Sequence, residues 1–339
     1  MSKSSLFVKS KPSGAEAVRR RLLELGVFNG ERSVLREKGY VLFPVKEEVK
    51  IKDCEITSRQ SKYRKKKPKS LRVALKGKLS ENEIDLLPSS FDLIGDIAVI
   101  ELPDELLPKK EVVGQVLIST FKNIKVAAVK SSPVGSEYRT RSVEVVAGEN
   151  RTETVHKEYG CSYKLDVSKA YFSPRSGTER KRVADQVEDG ERVLVLFAGV
   201  GPFPILIAKS RSPKEVVAVE LNEAACDYML WNVAKNKVDV KVVCGDAKVE
   251  TQKLGKFDRI VMPLPKDAGD FLGVALPALA PEGVVHFYTF AHDTNEAEDT
   301  VKKKAKELGY KIKLLNSVVC GSYSPCLSRI CVDFTLLVK

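Results

Sequence analysis

The chain has 339 residues, 43% hydrophobic and 30% charged, the balance of a folded protein and not of a wholly disordered one. Its 57 Lys and Arg against 45 Asp and Glu leave a net charge of +12, which points to a polyanionic partner. No apolar run nears the roughly 18 residues of a membrane helix, the start Met1-Ser2-Lys3-Ser4-Ser5 lacks a secretory core, and the seven Cys include no CxxC pair, which argues against a zinc ribbon or disulfide scaffold and for a reducing cytoplasm; Cys320, Cys326 and Cys331 could pair but are expected as solitary thiols in strands.

In chain order, residues 15–25 read as a helix with Val18, Leu22 and Leu25 on one face and Arg19, Arg20 and Arg21 around it. Residues 40–45 read as a strand, so 1–57 is expected to be a small α/β module with little core of its own. Residues 58–78 form a basic linker, and from 56 to 80 there is no acid. Its centre carries Lys65, Lys66 and Lys67, a like-charge block that repels itself and suits phosphate contact. A solvated linker is the plainer alternative.

Residues 79–166 read as a mixed α+β domain with strands near 97–100, 126–129, 142–146 and 161–166. From 167 to 339 strands and helices alternate. Strands are expected at 192–197, 215–221, 240–245, 258–262 and 284–290, and helices near 178–187, 203–210, 222–235, 267–278 and 293–308. Such alternation implies a doubly wound parallel sheet. Residues 310–318 and 328–337 close the chain as a hairpin.

The first of these strands runs into Phe197-Ala198-Gly199-Val200-Gly201-Pro202. Gly199 and Gly201 let backbone approach a ligand, and Pro202 suits a helix start. The second strand ends at Glu220 and Leu221, where an acid accepts ribose hydroxyls. The third ends before Asp246 and Ala247, and Asp246 is placed to accept from an adenine amino group. The fourth ends Met262-Pro263-Leu264-Pro265, beside the reactive end of a bound cofactor. Each acid alone reads as a strand-end cap; three strand ends in register are more specific. Position 204 is Pro, where a dinucleotide fingerprint wants Gly, so S-adenosylmethionine is favoured over a nicotinamide cofactor. The three His, 156, 286 and 292, do not assemble a metal set by spacing.

Tyr171-Phe172-Ser173-Pro174-Arg175, Glu179-Arg180 and the loop from Phe197 to Phe203 resemble the archaeal and eukaryotic tRNA (guanine-37 N1)-methyltransferases, with further matches at 91–97, 147–150, 156–158 and 286–289. The resemblance implies a class I, Rossmann-like methyltransferase domain at the C-terminus, S-adenosylmethionine as cofactor and tRNA as substrate, bound at its anticodon loop. The N-terminal module would check the outer corner of the tRNA. By position Glu179 corresponds to the general base and Arg139 to the group holding guanine O6. Tyr171 and Phe197 would line the cofactor pocket, with Pro265 beside the methyl group. Arg175 and Arg180 are expected to contact RNA. A cytoplasmic monomer with no metal is expected. The chain departs from the family pattern in carrying Val195 and Pro263 where many members have Asp and Asn.

The chemistry agrees with that pairing. Guanine N1 is protonated at neutral pH, so a base must take the proton as the methyl arrives. A Glu whose pKa is raised by burial serves, and an Arg stabilises the charge that develops on O6. Taken alone, Thr178-Glu179-Arg180 reads as a helix start with Thr178 as N-cap. An aminocarboxypropyl transferase or methyltransferase of the wyosine pathway, and a non-catalytic RNA-binding relative, remain alternatives.

Overall fold

The computed structural model describes residues 4–37, 39–60, 70–130, 142–266, 268–324 and 326–337. Lys65, Lys66, Lys67 and Arg139 lie outside the described residues. The chain forms two compact units, Met1–Val73 and Ala74–Lys339.

In the first unit, strands β1 (Ser4–Ser10), β2 (Leu35–Glu37), β3 (Tyr40–Val45) and β4 (Glu55–Gln60) form an antiparallel sheet in the order β2-β3-β1-β4. Helix α1 (Ala15–Glu24) lays Val18 and Leu22 onto Val8, Val41, Phe43 and Val45. These residues form a small core within the module. Leu25, expected on the helix stripe, is largely exposed. Strands β1 and β4 escaped the pattern search because β1 buries only Phe7 and Val8 of its apolar residues and β4 has no buried residue.

Helices α2 (Leu71–Leu75) and α3 (Glu81–Leu86) lead into a second sheet. A reciprocal Ser80–Glu83 capping box starts α3. Strands β5 (Asp92–Ile94), β6 (Ile97–Ile100), β7 (Val126–Lys130) and β8 (Val143–Gly148) lie side by side in that order, with α4 (Lys110–Thr120) crossing between the parallel pair β6 and β7. A hairpin of β9 (Glu153–Glu158) and β10 (Cys161–Asp166) follows.

The remaining chain contributes α5 (Gly177–Gln186), β11 (Arg192–Leu196), α6 (Pro202–Ser210), β12 (Glu215–Glu220), α7 (Glu223–Asn236), β13 (Lys241–Cys244), α8 (Ala247–Glu250), β14 (Phe257–Met262), α9 (Leu272–Ala278), β15 (Leu279–Ala291), α10 (Thr294–Glu307), β16 (Ile312–Ser322) and β17 (Ser328–Leu336). Its seven-stranded sheet has the order β13-β12-β11-β14-β15-β17-β16. The first five strands are parallel, and the terminal hairpin inserts β17 antiparallel to β15. The order reverses between β11 and β14, which opens a crevice at their C-terminal ends.

The central strand is buried on both faces. Val193 and Val195 belong to one apolar cluster, Leu194 and Leu196 to the other. The first cluster also contains Ile97, Val126, Tyr163 and Leu165, so the smaller sheet and the hairpin share its core. The hairpin edge is pinned by two buried amides of α7. Asn232 and Asn236 each accept from and donate to the backbone of β10, at Lys164 and Ser162.

Cys226, in the first turn of α7, is paired with Cys244 at the end of β13, Cα atoms 6.0 Å apart. This pair was not foreseen from the sequence, whereas Cys320, Cys326 and Cys331 are free as expected; residues 18 apart in sequence meet because α7 crosses back over the sheet. Labelling the unfolded, unreduced chain with a thiol reagent is expected to count the five remaining cysteines, 54, 161, 320, 326 and 331. A count of seven would remove the pairing. Among the described residues no helix is long and apolar enough to cross a membrane.

Candidate active site

The crevice between β11 and β14 is built from sharp backbone turns. Phe197, Gly199 and Gly201 all have positive φ, at 55°, 58° and 86°. The two glycines do different work. A Cβ on Gly201 would meet Met229 Cγ at 2.8 Å and Ile205 Cδ1 at 2.9 Å, so this residue lets α6 pack on α7. A Cβ on Gly199 would meet only the Tyr171 carbonyl, at 3.6 Å, so its backbone faces open space. Gly201→Ala is therefore expected to lose about 1–3 kcal/mol of stability through overpacking and a left-handed backbone. Gly199→Ala should cost only about 1 kcal/mol from its backbone yet weaken cofactor binding. Thermal unfolding and calorimetry separate the two; equal melting losses would contradict the assignment.

Glu220 ends β12 with its carboxylate bridging the loop after β11 and the start of α7. Oε2 accepts from Gly199 N–H at 2.7 Å and Oε1 from Asn222 N–H at 2.9 Å. Burial raises its pKa, while the N–H groups of Asn222, Gly199 and Leu221 act the other way. Each oxygen keeps a lone pair for a ribose hydroxyl, so the loop fits a nucleoside. Asn222 Nδ2 also donates to the Lys169 carbonyl at 2.8 Å, which ties the segment before Tyr171 to this corner. Tyr171 is exposed, and Phe197 packs edge-on against Phe271 with ring centroids 4.7 Å apart. Asp246 is exposed and caps α8 through Lys248 N–H at 2.8 Å. Leu221 is partly exposed and Ala247 is buried.

On the fourth strand, the Met262 side chain is wholly buried in the core. What the loop offers is backbone. Leu264 N–H donates to the Met262 carbonyl at 2.8 Å, a three-residue turn about Pro263. Pro263 and Pro265 are half-buried.

Glu179 lies in the first turn of α5, as the sequence indicates, but the N-cap is Ser176 and not Thr178. The Ser176 hydroxyl accepts from Arg329 Nη1 at 2.9 Å. Glu179 is 6% exposed, which sets it apart from an ordinary first-turn acid. Tyr288 donates its hydroxyl to Oε1 at 2.5 Å, and Arg182 donates from Nη2 to Oε1 at 2.7 Å and from Nε to Oε2 at 2.8 Å. The Cys320 thiol, which donates to the Val318 carbonyl at 3.3 Å, lies near enough to interact with this carboxylate, and burial pushes that thiol up to about 12. The Tyr288 ring packs edge-on against Phe203 at 6.2 Å, so the same side chain touches Glu179 and the first turn of α6. The carboxylate is thereby placed beside the crevice loop.

A chain of buried polar groups continues behind it. Arg182 bonds Asp333 at 2.6 and 3.3 Å, Asp333 faces His286 Nδ1 at 2.6 Å, and His286 Nε2 faces Arg259 Nη1 at 2.9 Å. Arg259 then forks onto Glu191 at 2.7 Å through each of two nitrogens. His286, Cys331 and Asp333 bring one possible ligand atom each within 4.8 Å of one another, but Arg182 and Arg259 flank the set, which is the arrangement of an ion-pair chain. Sequence spacing did not expose Arg182, Tyr288 or Asp333; the one local signal was Arg182 three residues after Glu179, on the same helix face.

Two residues expected at an RNA surface are otherwise engaged. Arg180 is 2% exposed. Its Nε and Nη2 bond Glu158 at 2.9 and 2.6 Å, and it also donates to the Ser173 carbonyl. Arg175 is exposed but bonds Asp92 at 2.7 Å. The helix turn that buries Glu179 carries Arg180 into the interior beside it.

A family model described as the TRM5/TYW2 methyltransferase domain matches residues 154–313. Models of the TYW2 N-terminal domain and the tRNA methyltransferase 5 N-terminal domain match residues 71–152 and 11–53. The chain is 38% identical over 335 residues to the tRNA (guanine(37)-N(1))-methyltransferase Trm5b of Pyrococcus abyssi, covering 97% of this chain and 98% of that one. It is 31% identical to the Trm5b of Methanocaldococcus jannaschii, covering 98% and 99%. Over 213 residues it is 38% identical to the tRNA 4-demethylwyosine(37)-methyltransferase Taw21 of Saccharolobus solfataricus, covering 62% and 81%. Among solved structures, that of Pyrococcus abyssi Trm5b superposes with a TM-score of 0.76 at 38% identity, over 98% and 99% of the chains. The complex of aTrm5 and tRNALeu gives 0.75 at 30% identity, over 97% and 99%. The M. jannaschii TYW2 structure in complex with AdoMet gives 0.56 at 26% identity, over 73% and 100%.

Proposed function

The chain belongs to the TRM5/TYW2 methyltransferase family, and from that premise we propose that it methylates N1 of guanine 37 in tRNA. S-adenosylmethionine supplies an electrophilic sulfonium methyl when bound. Glu220 would hold its ribose, Asp246 would receive its adenine amino group, and the backbone of Gly199 would lie against it. Tyr171, Phe197, Leu221 and Ala247 would line its pocket. The turn at 262–265 would aim the methyl by presenting backbone carbonyls.

The observation that carries the reading is the buried Glu179 carboxylate, joined through Tyr288 to Phe203 in the first turn of α6, which follows the crevice loop. Glu179 would take the N1 proton as the new N–C bond forms. Arg139 would stabilise the negative charge moving onto O6. The target base lies in a loop, so splaying it into the pocket costs less than extracting it from a duplex. Residues 1–57 and the basic run around Lys65, Lys66 and Lys67 would bind the outer corner and backbone of the tRNA, the protein acting as a cytoplasmic monomer.

Incubation with labelled cofactor and unmodified tRNA should yield 1-methylguanosine on nucleoside analysis, and tRNA with adenine at position 37 should yield none. Absence of product with intact tRNA binding would leave a non-catalytic relative. The match of residues 71–152 to a TYW2 N-terminal domain and the identity to Taw21 favour a second substrate, a tricyclic guanine derivative at the same position. Mass analysis separates a methyl from an aminocarboxypropyl product. Binding of tRNA should weaken by about 0.7 to 0.9 log units per log unit of salt for each phosphate contacted; a flat response would remove the basic run from the interface.

A further inference from the structure

Arg182 is the cation shared by two buried carboxylates. Its Nε and Nη2 serve Glu179, while Nη1 and Nη2 serve Asp333. Asp333 is 1% exposed, so it draws on the same positive charge that holds Glu179. Its own orientation is set from behind. Arg259 can only donate, so His286 Nε2 must accept, which leaves the imidazole proton on Nδ1 directed at Asp333. Burial keeps that imidazole below its usual pKa. Arg259 is itself held by Glu191 and by the Gln186 carbonyl at 2.7 Å.

The groups facing Glu179 come from four elements. Arg182 is on its own helix, Tyr288 on β15, Cys320 on β16, and Cys331 and Asp333 on β17, with Arg329 of β17 bonded nearby to Ser176 Oγ and the Cys320 carbonyl. Burial drives Tyr288 and both thiols upward, so these three stay neutral. The charge balance at the carboxylate therefore rests on Arg182 and Asp333.

We propose that Asp333 is a positioning residue that sets the base strength of Glu179, by taking part of the Arg182 charge that would otherwise stabilise the catalytic carboxylate fully. The inference rests on the reading of Glu179 as general base. Removing the Asp333 charge leaves Arg182 to Glu179 alone, so the carboxylate stays ionised to lower pH and takes a proton less readily. Removing the Arg182 charge does the opposite.

The test is the pH profile of single-turnover methyl transfer to unmodified tRNA, with cofactor affinity measured by calorimetry on the same samples. Asp333→Asn is expected to move the acid limb down by about one pH unit, a tenfold change in proton affinity, and to lower the plateau rate by about threefold, with about tenfold the ceiling. Arg182→Gln is expected to move the limb upward. General damage to the fold does not move one limb in opposite directions. An unmoved limb, or movement in the same direction in both variants, overturns the proposal while Glu179→Gln remains inactive. Full activity in Glu179→Gln overturns both this proposal and the assignment of the base.

Discussion

Glu179→Gln is expected to lower the rate of methyl transfer by a factor on the order of 10² to 10⁴, the range that a positioned general base contributes. The substitution keeps the volume and hydrogen-bonding reach of the side chain but removes its capacity to accept a proton. Tyr288 and Arg182 both donate to the native carboxylate. A Gln carbonyl still satisfies one of them, while its amide faces the other, so some loss of stability accompanies the loss of rate. The crevice proposed for the cofactor has separate walls, Glu220 and the loop from Phe197 to Gly201. S-adenosylmethionine affinity should therefore stay within a few-fold of the wild type. Rapid-quench measurement of transfer, paired with calorimetry for the cofactor, checks both halves. A variant that transfers methyl at the native rate would show that N1 loses its proton to another group.

The second large effect falls on stability. Arg180 and Glu158 form a buried fork, their side chains 3% and 11% exposed. Arg180 also lies over the Phe172 ring, 5.1 Å from its centre. Glu158 abuts the first residue of α5 so closely that a Cβ on Gly177 would meet its Oε2 at 2.7 Å. This pair therefore latches the helix that carries Glu179. Replacing Arg180 with Ala strands a carboxylate in the interior, and a loss of about 3–5 kcal/mol is expected, read as a large drop in melting temperature. A loss under about 1 kcal/mol would mean that water reaches the vacated site.

The same pair has a pH signature. Burial alone would raise the Glu158 pKa, but the nearby His156 ring and the charged, doubly hydrogen-bonded Arg180 hold it down at about 2, against 4.5 for an unperturbed Glu. His156 is oriented for this by accepting Gly95 N–H on Nδ1 at 3.1 Å, which leaves Nε2 toward Glu158. With a folded pKa below the unfolded one, the contribution is fully present above pH 4.5 and is lost as pH falls toward 2. Its size is about 3 kcal/mol. Glu158→Gln should be less stable than the wild type at neutral pH, and that difference should shrink by about this amount as pH falls through the window; a constant difference would contradict the assignment.

The parallel sheet was legible because each strand is short, apolar and followed by a helix of matching period. The observed strands at Arg192–Leu196, Glu215–Glu220 and Phe257–Met262 fall within a residue of the expected positions. The crevice loop was legible for a similar reason, since glycines and a proline at a strand end have few other uses. Where sequence reasoning ran short, the residues carry little local pattern. Strand β4 exposes most of its side chains, and β9 alternates apolar with charged residues too weakly to stand out. Gly201 illustrates a subtler gap. Its presence in a glycine-rich loop predicted ligand approach, whereas Met229 and Ile205 account for it by packing.

Composition, periodicity and the order of motifs along the chain were enough to determine a doubly wound α/β domain with a candidate nucleoside crevice at its strand ends, and the family resemblance singled out the Glu set just before it. These properties are encoded within windows of a few turns or one strand and its loop. Only the tertiary structure decided what surrounds that Glu. Tyr288 is 109 residues away from it, and Asp333 is 151 residues from Arg182. Their meeting depends on the terminal hairpin inserting β17 beside β15, and no local preference records which distant polar side chains a buried charge will find when the sheet closes.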